Sequence, residues 1–69
     1  MSLNRDLTNH GHIHRFVVTQ SLRGWDVREE EDSTVLRHTL REDWHRVERD
    51  VQLFDLRALA LKRSGWTEN

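Results

Sequence analysis

The 69-residue chain has no cysteine, no proline and no tyrosine, and only three glycines. Without cysteine it can form no disulfide, no thiolate metal site and no thiol nucleophile. No run approaches the ~20 apolar residues of a membrane-spanning helix. Residues 1–12 lack the apolar stretch of a secretory signal, so the expected location is the cytoplasm. An excess of one charge is missing too. Eleven Lys and Arg stand against twelve Asp and Glu, a formal net charge of −1. That balance gives no strong field for nucleic acid or an anionic membrane.

What remains is a lean set of apolar residues, 35% of the chain, including three Trp and two Phe. A chain this short buries a small fraction of its surface. With disulfides excluded, its stability calls for good packing, a metal held by His and carboxylates, or a partner chain. The apolar residues are periodic, which argues for a folded domain.

Residues 1–11 are polar and show no clear period, so they are expected to form a flexible arm docked through Leu3 and Leu7. Residues 12–69 are expected to form a single α+β domain. His12 to Gln20 is rich in β-branched and aromatic residues and carries apolar side chains on both faces, as a central strand does. A turn at Ser21–Gly24 follows, then clean alternation from Trp25 to Glu30, with Trp25 and Val27 on one face and Asp26, Arg28 and Glu30 on the other. Thr34 to Leu40 gives a third strand, with Leu36, His38 and Leu40 in phase. In that setting His38 is expected to be a core histidine.

The last element has the strongest signal. Trp44, Val47, Val51, Phe54, Ala58 and Leu61 recur at steps of three and four, a helical stripe. Thr39 and Glu42 have the spacing of a capping box, with Asp43 as a later start. Lys62 and Arg63 suit a helix C-terminus, Gly65 suits a left-handed cap, and Trp66 is placed to fold back on the final turn. The expected fold is therefore a three-stranded antiparallel meander followed by one long C-terminal helix on one face (β-β-β-α). The stripe should cover Trp25, Val27, Leu36 and Leu40.

Leu53, Leu56, Leu59 and Ala60 lie off that stripe, so the second half of the helix is apolar most of the way round. Such a helix has something on both sides. The expectation is a homodimer or higher homo-oligomer through these four residues. Cover by the N-terminal arm, through Leu3, Leu7 and Ile13, is the alternative.

The one conspicuous polar cluster is His10, His12 and His14. Alternate residues of a strand face the same way, so the three imidazoles are candidate ligands for Zn²⁺ or Ni²⁺, with Asp6, His38 or His45 completing the set. A change of charge near pH ~6–7 is the better expectation for this cluster. His45, Glu48 and Arg49 share a helix face but match a solvated surface as well as an acid–base pair. The three Trp sit where packing is favoured over base stacking. A chain of this size is expected to lack a pocket of ~300 Å³ or more. The reading is a small self-associating adaptor or regulatory module without catalytic activity. A metal- or pH-responsive histidine module is the second reading, and a weak nucleic-acid binder the third.

Overall fold

In a computed structural model, which describes residues 2–69, the chain is an antiparallel sheet with one C-terminal helix packed on it. The strands are β1 (Ser2–Asn9), β2 (His12–Ser21), β3 (Gly24–Glu31), β4 (Thr34–Arg41) and β5 (Thr67–Glu68), with α1 (Trp44–Arg63) between β4 and β5. The order across the sheet is β4-β3-β2-β1-β5. The expected meander is present as β2, β3 and β4, but the sheet has five strands, not three.

The added strands have a local cause. His10 and Gly11 both adopt positive φ, 49° and 81°, the geometry of a two-residue hairpin turn whose twist matches the strands it joins. The chain therefore doubles back, and Ser2–Asn9 pairs with β2 from Ser2↔Thr19 to Asn9↔His12. The segment expected as an arm is thus a strand, and its Leu7 is fully buried in the core. At the far side of β1, Leu7 and Thr8 pair with Glu68 and Thr67 of β5.

The helix begins one turn later than the capping-box spacing suggested. Thr39 stays in β4 opposite Val27, and Asp43 is the N-cap, accepting from the His45 backbone N–H at 3.0 Å. The C-terminus is as expected. The Gly65 N–H donates to Lys62 and the Trp66 N–H to Leu61, both closing the last turn, with Gly65 at φ 102°.

The stripe read from the sequence does pack on the sheet. Val47, Phe54 and Ala58 are buried with Leu7, Phe16, Val18 and Val27, and Trp25, Val51, Leu61 and Trp66 close the periphery. Phe16 and Phe54 meet at 4.7 Å between ring centroids. Leu36 and Leu40, however, are not under the helix. They are 54% and 70% exposed. Leu40 pairs with Asp26 on the outer face, and a bulge near Leu36 shifts the register so that Glu29 faces Arg37 and Glu30 faces Val35. β4 thus turns Arg37, Thr39 and Arg41 toward the helix side. His38 is likewise on the outer face, its Nε2 2.5 Å from Asp26 Oδ1, and is not a core residue. β1 supplies the apolar cover that β4 does not.

Candidate functional site

Because β4 offers polar residues on the helix side, it leaves a space beside α1. An open groove of about 560 Å³ runs between them, larger than a chain this size was expected to hold. Leu53, Leu56 and Ala60 line its helix wall, while Arg37, Thr39 and Arg41 line the strand side. Leu53 is 50% and Leu56 64% exposed. Leu59 is 46% exposed but does not line the groove. It lies roughly 60° further round the helix than Leu56.

The groove floor is electrostatically tied down. Arg41 donates to Asp50 through Nε at 2.9 Å and Nη2 at 3.1 Å, and this bonding raises the Arg41 pKa. Arg57 donates to Glu29 Oε2 from Nε and Nη2, at 3.1 and 2.6 Å. Glu29 is 2% exposed and also meets His14 Nε2 at 2.7 Å, while His14 Nδ1 lies 3.0 Å from Glu31. This buried side chain is hydrogen-bonded from two sides, by the Arg57 guanidinium and the His14 ring, which offsets the loss of its hydration. Arg37 is the odd member. Its register partner is Glu29, whose carboxylate is already engaged, and among the described residues Arg37 makes no ion pair.

The same wall meets an edge. No described strand pairs with the outer side of β4, and β4 itself exposes Val35, Leu36 and Leu40. A row of backbone donors and acceptors therefore runs along an edge with Val35 and Leu40 on its outer face and Leu53 and Leu56 on the helix side, with Arg37, Thr39 and Arg41 between them.

The chain matches no family model, no curated protein and no solved structure.

The three histidines of the sequence cluster are sent to different places. His10 is exposed in the β1–β2 turn. His12 is exposed with Nδ1 2.6 Å from Asp32 Oδ2, and that bond raises its pKa. His14 is buried between two carboxylates. Its nitrogens are directed at Glu29 and Glu31, so they do not converge with those of His12. Among the described residues no three His, Asp or Glu side chains are grouped to hold a metal ion, Zn²⁺ and Ni²⁺ included.

His45, Glu48 and Arg49 are exposed on the helix. Trp25 and Trp44 pack on each other at 4.6 Å, and Trp66 meets the His14 ring edge-on. Of the four residues expected at an interface, Leu53, Leu56 and Ala60 share the groove. Leu3, Leu7 and Ile13 do not cover them, since β1 lies on the opposite side of the sheet from β4. Two residues central to the groove were missed, Glu29 and Arg57. Glu29 is in phase with Trp25 and Val27, a signal hidden by the acidic run around it.

Proposed function

We propose that this domain is a small self-associating interaction module, and that the groove and the β4 edge are the surface it uses. One observation supports the reading above the others. Leu53 and Leu56 on the helix and Val35, Leu36 and Leu40 on the edge strand are all at least half exposed, and they flank one edge of the sheet. Isolated exposed leucines need no explanation, but five such aliphatic side chains gathered at one edge of the sheet, two on the helix and three on β4, fit an association site. The buried polar residues of the groove are bonded to one another, and this favours a structural role for them over catalysis.

The test is solution mass by size exclusion with light scattering across a concentration series. A dimer or higher oligomer is expected. Leu56→Lys should dissociate it, because the new cation would stand beside Arg37, Arg41 and Arg57. Mass equal to one chain at every concentration would overturn the reading.

A further inference from the structure

The groove beside α1 has a positive charge left over. Arg28, Arg37, Arg41 and Arg57 line it, against the carboxylates of Glu29 and Asp50. Both carboxylates are committed. Asp50 accepts from Arg41, and Glu29 accepts from Arg57 and meets His14. Arg28 lies 3.5 Å from Glu30. Among the described residues, Arg37 is the guanidinium of this group that has no carboxylate partner.

Thr39 follows Arg37 by two residues along β4, so the two side chains share a face. Its hydroxyl likewise has no bonded partner among the described residues. The strand wall therefore holds two unspent donors, and the helix wall holds Leu53, Leu56 and Ala60. One wall suits an anion and the other an apolar chain. A single ligand that uses both has a negative head on an aliphatic body. The count of charges sets the head: one unmatched guanidinium balances one negative charge, and its planar fork takes a carboxylate through two parallel hydrogen bonds. The groove volume of about 560 Å³ falls within the ~300–1,000 Å³ of small-molecule sites.

We propose that the groove binds an aliphatic monocarboxylate of the fatty-acid class, with its head on Arg37 and Thr39 and its chain along Leu53, Leu56 and Ala60. A cationic amphiphile of the same shape would meet no free carboxylate there, since both that line the groove are bonded to arginine. The proposal does not require self-association. Binding is read on the chain in whichever mass state light scattering finds.

Head and chain are tested separately, by calorimetric titration with hexanoate, octanoate and decanoate. Burial of the chain should raise affinity about two- to fourfold per methylene. Arg37→Gln should weaken decanoate about tenfold, the loss of a charge-assisted pair, and leave the chain-length dependence intact. Leu53→Asn should do the reverse, flattening that dependence while decanoate is still preferred over decyltrimethylammonium. Both side chains are exposed enough for the variants to fold. Arg23→Gln removes another cation without an ion pair among the described residues, one outside the groove, and should leave affinity unchanged. Failure of decanoate to bind, affinity independent of chain length, equal binding of decyltrimethylammonium, or equal losses in Arg37→Gln and Arg23→Gln would each overturn the proposal.

Discussion

The two edges of the sheet are treated in opposite ways. On the β1 side every large resource of the C-terminal segment is spent on closure. β5 pairs with Leu7 and Thr8, Leu7 is fully buried, and Trp66 packs against the core. Glu68 accepts from Arg5 at 2.7 and 2.8 Å and pairs with Lys62 at 2.6 Å, while Arg5 also reaches Asp55 on the helix. On the β4 side no described element returns to the edge, and five aliphatic side chains from β4 and α1 remain half exposed or more. One edge is closed by β5, and the other carries no described strand.

The sharpest way to break this comparison is to truncate one aliphatic residue at each edge. Leu7→Ala removes a fully buried side chain and should lower unfolding stability by about 2–5 kcal/mol, by the same amount at any protein concentration. Leu40→Ala, at 70% exposure, should cost under about 0.5 kcal/mol in an isolated chain. If β4 is an interface, its cost should grow with protein concentration as the dimer populates. Urea denaturation at two concentrations separates these outcomes. A concentration-independent loss at Leu40 comparable to that at Leu7 would mean that the two edges are not different.

The contrast between the edges also governs what the sequence disclosed. The helix was legible because its stripe is long and its caps are local: Gly65 and Trp66 act through their immediate neighbours. Strands β2 to β4 were legible from alternation and from the turn at Ser21–Gly24. β1 was not, because Leu3, Arg5 and Leu7 interleave with polar residues and Arg5 interrupts the apolar face to hold Glu68. β5 spans two residues, too few for any period. The error in β4 is more instructive. Its phase was read correctly from Arg37 to Leu40, but the bulge puts Val35 opposite Glu30, on the face of His38 and Leu40, and which face meets the helix depends on the pairing with β3, a non-local fact. Leu40 opposite Asp26 and Thr39 opposite Val27 decide it. The histidine cluster is divided for a related reason. Alternation placed His12 and His14 on one face, yet Asp32, Glu29 and Glu31, from the next hairpin, pull them apart.

The closed edge has a pH limit of its own. Glu68 is held to a pKa of about 2, below its ordinary 4.5, chiefly by the Arg5 hydrogen bond and then by Lys62. A carboxylate whose folded pKa is depressed contributes stability that is complete above its unfolded value and is lost as pH falls through the folded one. The β5 clasp should therefore hold at neutral pH and weaken between pH 4.5 and about 2. Amide exchange at Thr67 and Asn69, whose N–H donates to Asp6, would report the opening. Glu68→Gln should show faster exchange already at pH 7 and little further change on acidification. Equal protection in the two proteins at both pH values would remove Glu68 from the account of edge closure.

The smallest expected effect concerns how the open edge is delivered. Asp32 and Ser33 form the β3–β4 turn with φ of 50° and 69°, a conformation that costs an L-residue roughly 1–2 kcal/mol. Asp32 has a compensating role there. Its carboxylate accepts from the Ile13 backbone N–H at 2.9 Å and meets His12 at 2.6 Å, and these contacts lower its pKa, the backbone bond most. Among the described residues, no contact of that kind is made by Ser33. Ser33→Gly would create the Asp-Gly pair that such turns favour, and part of the strain relieved would be offset by the greater freedom of glycine in the unfolded chain. A net gain of about 0.5–1 kcal/mol follows. It should appear as a higher urea midpoint with unchanged slope, and equally in monomer and dimer. A gain confined to high protein concentration would show instead that the turn acts on the β4 interface, which would tie the hairpin geometry to association.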